Sequence, residues 1–178
     1  MDKKDGKIRC FCGQNERFQQ PNIHQYGPRH SIMVWAVISA EGKSQIIRFN
    51  GNVTAIRYQN EALRPALLPL LNRHTSQMQF MQDNAKVHRA FVTRDWLQAN
   101  NVQVFGPWPA KSPDMNPIKH IWAQMETGLQ NRQHKPRNRD ELWRAVQDIL
   151  NNINLFDVRR LVLSMRTRCN ALMQAAGH

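Results

Sequence analysis

The run Ser31-Ile-Met-Val-Trp-Ala-Val-Ile-Ser39 constrains the fold more than any other part of the chain. It is apolar at almost every position, so neither face of a strand built from it offers a polar stripe to water. Such a strand belongs in a sheet covered on both sides. Ala40-Glu41-Gly42-Lys43 then reads as a tight turn, and Ser44–Phe49 as an antiparallel return. The longest apolar run, Met33 to Ile38, suits a buried strand and falls far short of a bilayer span.

Periodicity changes after the hairpin. Residues 54–72 carry Tyr58, Leu63, Leu67, Leu70 and Leu71 at helical spacing, with Pro65 and Pro69 expected to interrupt or kink the helix. Met78–Met81 predicts a short strand ending at Asp83, and Val87, Phe91, Trp96 and Leu97 mark a helix stopping near Asn100-Asn101. Residues 102–105 read as another strand. Asn116 followed by Pro117 predicts an N-cap and first helical residue, opening a helix with Ile118, Ile121, Trp122, Met125 and Leu129 on one stripe. A basic linker, 131–138, leads to Asn138 and Glu141, spaced as a capping box. A last helix packs through Val158, Leu161, Val162, Met165, Cys169 and Leu172. The element order predicts an α/β fold, a mixed sheet with flanking helices and a helical C-terminal tail.

Charge narrows the partner class. The 178 residues hold 25 Lys and Arg against 13 Asp and Glu, a formal net charge of +12. That excess on a modest domain favours a polyanion, most often nucleic acid. Three cysteines, Cys10, Cys12 and Cys169, form no paired framework and read as ordinary small apolar residues. Without an apolar leader after Met1, the chain is expected inside the cell, its thiols reduced.

Several segments together carry a family likeness. They are Met33-Val34-Trp35; Arg57-Tyr58-Gln59-Asn60-Glu61 with Leu63-Arg64-Pro65; Gln82-Asp83-Asn84-Ala85 with His88; and Trp108-Pro-Ala-Lys-Ser-Pro-Asp-Met-Asn-Pro-Ile-Lys-His-Ile-Trp122. In this order they resemble the catalytic domain of mariner-type DNA transposases. The resemblance implies an RNase H-like fold over residues 1–130, followed by the 131–138 linker and a 139–178 helical tail packed on the same domain. It also implies a site of three carboxylates holding two Mg²⁺ ions. Phosphodiester cleavage and strand transfer build negative charge on the attacking and leaving oxygens, and two divalent ions roughly 4 Å apart stabilise both. Mg²⁺ prefers hard oxygen ligands, which Asp and Glu supply.

Asp83 matches the family's second acid and is the candidate metal ligand. The third acid follows Asn-Pro-Ile in the family, and Lys119 stands there instead, with Gly106 reading as a one-residue insertion between the two. A protonated lysine cannot ligate a hard metal and reverses the local charge. Neither Asp114 nor Glu126 is placed to substitute. The first acid sits on a central strand that the resemblance puts before Met1; Asp2 and Asp5 are poor matches for it. His88 and His120 read as polar or helix-packing residues, and Trp35 and Trp122 as core.

The leading expectation is a transposase-derived, nuclear DNA-binding protein with strand cleavage and transfer impaired. It contacts DNA without sequence specificity through Lys111, Arg132, Lys135, Arg137 and Arg139, alone or as a homodimer, away from membranes. The alternatives are an active transposase completed by upstream sequence or a partner, a non-catalytic interaction protein, and an untranslated relic.

Overall fold

The structure, a computed structural model, describes residues 30–73, 78–106 and 115–175. The expectations for Asp2, Asp5, Cys10, Cys12, Lys111, Asp114 and most of the Trp108–Trp122 motif's first half lie outside those residues.

The hairpin forms as expected, but in two pieces. Strand β1 (Met33–Trp35) pairs antiparallel with β4 (Ile47–Phe49), and β2 (Ile38–Ser39) pairs with β3 (Gly42–Lys43). Between Trp35↔Ile47 and Ile38↔Lys43, two residues (Ala36, Val37) face three (Ser44, Gln45, Ile46). This is a β-bulge, and it ends the single long strand that the sequence predicts over 31–39. Ser44 holds it: its amide donates to the Val37 carbonyl at 2.9 Å, and its Oγ accepts from the Val37 amide at 3.0 Å. The turn is confined to Ala40-Glu41, since Gly42 and Lys43 are already paired.

Alternation across this hairpin sorts the interior into two cores. Trp35, Val37, Ile47 and Phe49 join Tyr58, Ala62, Leu63, Leu67, Phe80, Leu97 and Val102 on one face. Ile32, Val34, Ala36, Ile38 and Ile46 join Ile121, Met125, Val146, Leu150 and Val158 on the other. Both faces are covered, which is why residues 32–38 carry no polar side chain.

On the first face lies one continuous helical segment: α1 (Ala55–Tyr58), a π-helical stretch (Gln59–Leu67) and α2 (Leu68–Asn72). The prolines widen it rather than break it. Pro65 has no N–H, and its ring would strike the carbonyl four residues back in a tight α-helix. The wide winding relieves both problems, and the Leu68 amide reaches the Leu63 carbonyl, five residues back. Thr54 caps the start, its Oγ1 accepting from the Arg57 amide at 3.2 Å. Arg57 grips Glu61 with two hydrogen bonds (2.6 and 2.8 Å) and ties down the preceding loop through the carbonyls of Asn50 and Asn52.

The strands expected at 78–81 and 102–105 shrink to one parallel bridge, Phe80↔Val104, held by Phe80 N–H to Gln103 O (2.7 Å) and Phe105 N–H to Phe80 O (2.9 Å). Turns cut both short, at Asp83 on one side and at Gly106 on the other. The helix between them is broken at Ala90 into α3 (Lys86–Arg89) and α4 (Phe91–Ala99), and Asn101 takes a left-handed conformation (φ 55°) where the sequence predicts the stop. Phe91, read as part of the apolar stripe, is 75% exposed, because the break rotates it off the core face.

The second face carries α5 (Ile118–Gln130), α6 (Arg139–Asn152) and α7 (Leu155–Leu163). No side chain caps α5, which starts at Ile118 rather than at Pro117; the Asn116 carbonyl accepts from the Lys119 amide instead. Asn138 caps α6 through the Asp140 and Glu141 amides (3.1 and 2.8 Å), and Glu141 reciprocates one residue early, at the Arg137 amide (2.8 Å). Lys43 Nζ donates to the carbonyls of Leu150, Asn151 and Ile153, tying the hairpin to the C-terminal end of α6. The expected last helix is two, α7 and α8 (Met165–Ala175), parting at Ser164, and no residue of α8 is buried.

Candidate functional site

Asp83 stands where the chain leaves the Phe80 bridge and turns into α3. Its Oδ1 accepts from the Ala85 amide at 3.1 Å, an Asx turn that starts the next helix. One helical turn later, His88 points back: its Nδ1 lies 2.8 Å from Asp83 Oδ1 and 3.1 Å from the Asp83 carbonyl oxygen. The His88 ring rests against Tyr58, with centroids 4.7 Å apart, and Tyr58 meets Trp35 edge-on at 6.0 Å. The Tyr58 hydroxyl donates to Gln82 Oε1 at 3.1 Å. Three motif segments, far apart in sequence, therefore converge on one carboxylate.

Electrostatics follow from those contacts. His88 holds the Asp83 carboxyl below the ordinary aspartate value, aided by the Ala85 amide and by the charge of Lys119, against the opposing effect of partial burial. Burial pushes the Tyr58 hydroxyl far above the usual tyrosine value, so it remains a donor at any physiological pH. The layer of Tyr58 and Trp35 gives His88 a rigid backing.

Lys119 sits in the first turn of α5, half-buried, with its charge felt at Asp83. The direct contact belongs to His88. His88 is polar in its contact with Asp83 and packed in its contact with Tyr58, as read from the sequence; that Asp83 is its partner was not read there, and the Asp-Asn-Ala-x-x-His spacing across an Asx turn was the available signal.

The described residues around Asp83 do not by themselves make a two-metal site. They bring one carboxylate, engaged by His88, within reach of the charge of Lys119. Glu126 is buried two turns further along α5, about 10 Å away by helix geometry. Among the described residues, no three His, Cys, Asp or Glu side chains gather as a metal ion requires.

Of the residues expected at DNA, Arg132, Lys135, Arg137 and Arg139 are described. Arg132 lies 3.6 Å from Asp148, and Lys135 donates to the Gln130 carbonyl at the end of α5. Arg137 and Arg139 are exposed, Arg139 beside Arg48 in an open groove at the outer end of the β1–β4 ladder. No helix among the described residues is long and apolar enough to cross a membrane.

A mixed α/β core, with Asp83 at the turn that follows the Phe80 bridge, agrees with the class of protein that comparison with known proteins gives. The chain belongs to the DDE superfamily endonucleases, whose family pattern matches residues 3–143. It is 28% identical over 165 residues to the transposable element Tc1 transposase of Caenorhabditis elegans and 27% identical to the Tcb1 transposase of Caenorhabditis briggsae. Each alignment covers 91% of this chain and 58% of the relative, so the chain spans little more than half their length. Among solved structures, it resembles the Mos1 transposase catalytic domain with raltegravir and Mg (TM-score 0.64, 23% identity, 77% of this chain and 71% of that one). It also resembles a pre-cleavage Mos1 transpososome (TM-score 0.72, 20% identity, 97% of this chain and 52% of that one). The fold is that of the RNase H-like catalytic domains, as the motif resemblance implied.

Proposed function

We propose that this chain is a transposase-derived DNA-binding protein of the nucleus that does not cut or join DNA by itself. The observation that carries the reading is the state of Asp83: its carboxylate is held by His88, and Lys119 stands where the family pattern has an acid. A cation there repels Mg²⁺, and the one carboxylate that the described residues bring to this point cannot by itself hold the two ions that phosphoryl transfer uses. The net charge of +12 supports attraction to phosphates. Binding is sequence-independent, because the contacts are to backbone charge; Arg137, Arg139 and Lys111 lead it, in a single copy or a homodimer.

The test has two arms. Mobility-shift titrations on unrelated duplexes at low and moderate salt are expected to show binding that weakens steeply with salt and hardly varies with sequence. Charge reversal at Arg137 and Arg139 is expected to flatten the log–log salt slope by about 0.9 per lost phosphate contact. A supercoiled plasmid with Mg²⁺ is expected to stay intact with the native chain and with Lys119→Glu. Metal-dependent nicking by the unaltered protein would overturn the inactive reading in favour of a working transposase, and salt-independent binding would overturn the DNA reading.

A further inference from the structure

Directly after the Asp83 turn, α3 and the first turn of α4 present a ledge of exposed side chains: Lys86, Arg89, Phe91, Val92 and Arg94. A lone exposed apolar residue is ordinary on a protein surface. Phe91 differs in its company. It is 75% exposed, and the Arg94 guanidinium sits 4.4 Å from its ring centroid, bracing one face and leaving the other open. The break at Ala90 (ψ 138°) is what turns the ring outward, while Val87, Thr93 and Leu97 of the same helices stay inside. From Asp83 to Asp95, three cations (Lys86, Arg89 and Arg94) stand against those two acids, and Asp83 is already engaged by His88. A flat, braced aromatic surface among cations has the chemistry of a platform for an unpaired base, since any nucleobase has a π face to stack and a phosphate on either side.

We propose that Phe91, braced by Arg94 and flanked by Lys86 and Arg89, stacks an unpaired nucleobase of single-stranded DNA beside Asp83. The assignment rests on the DNA-binding reading above and refines it. Duplex DNA engages the cations alone, because its bases are already stacked on one another. An unpaired strand engages the cations and the ring.

The test compares a short oligonucleotide carrying 2-aminopurine, single-stranded and annealed to its complement, with the native chain, Phe91→Ala and Phe91→Trp. Phe91→Ala is expected to weaken single-strand binding about tenfold and to leave duplex binding unchanged. Phe91→Trp is expected to retain single-strand binding, and the native ring and the tryptophan both to quench the 2-aminopurine. Thermal melting of Phe91→Ala at the native temperature keeps folding out of the comparison, as expected for so exposed a side chain. Single-strand binding that is unchanged in Phe91→Ala, or that falls equally for single strand and duplex, overturns the platform while leaving the DNA reading intact. Failure of the native chain to bind either form overturns both.

Discussion

At the scale of single residues, the informative pair is Asp83 with His88. Because the folded carboxyl lies below its unfolded value, ionised Asp83 contributes stability that is present above about pH 4 and is lost as pH falls through the folded value. The Asp83 side chain is 45% exposed, so the effect on stability stays within about 0–1 kcal/mol. The titration itself is the sharper observable. Followed by carboxyl NMR, Asp83 is expected to titrate at higher pH in His88→Ala than in the native chain, because the leading cause of its depression is gone. Lys119→Met is expected to raise it as well, but less, since that charge acts without contact. Equal midpoints in the native chain and His88→Ala would show that the pair does not form in solution. The sequence made Asp83 legible through its motif and its place after an apolar run. The choice of partner was not legible: His88 and Lys119 both lie on helices near Asp83, and the Asx turn at Ala85 brings the histidine of α3 back into contact.

At the scale of elements, legibility followed how local the cause was. The two-sided hairpin could be read from nine residues, and the Asn138 cap from four, because strand alternation and capping are set by near neighbours. The bulge opposite Ala36-Val37 could not, since it reconciles two cores that meet only in three dimensions. The same holds for Pro65: its missing donor predicts trouble, and the packing of Leu63 and Leu67 decides that the helix widens instead of stopping. Gly128 is a further case, where α5 runs close to α6. A Cβ there would lie 3.1–3.4 Å from three side-chain carbons of Ile149. Ile149 is β-branched and stiff about χ1, so it cannot swing aside freely. Gly128→Ala is therefore expected to lower stability despite a helix-propensity gain of about 1 kcal/mol. In an Ile149→Ala background the contact disappears, and the same substitution is expected to stabilise. Denaturant melts of the four-member cycle test this; equal effects in both backgrounds would place the helices further apart.

At the scale of the whole molecule, two apolar clusters share one thin divider. Leu63, on the first face, and Ile121, on the second, never meet, yet both are fully buried against the same short hairpin. Trp35 and Ile47 serve the first cluster, and Ala36 and Ile46, their chain neighbours, serve the second. Neither cluster can lose its helices without exposing the back of the strands that support the other, so the two are expected to melt as one unit. Leu63→Ala and Ile121→Ala are each expected to cost about 2–5 kcal/mol, the range for truncating a buried large aliphatic residue. The decisive measurement is amide hydrogen exchange read at Leu67 and Met125, which report the two sides separately. Leu63→Ala is expected to reduce protection at Met125 as much as at Leu67, and Ile121→Ala to do the same in reverse. Protection lost on the mutated side alone would mean that the faces open independently, and the hairpin would then be a boundary between two units rather than their common core.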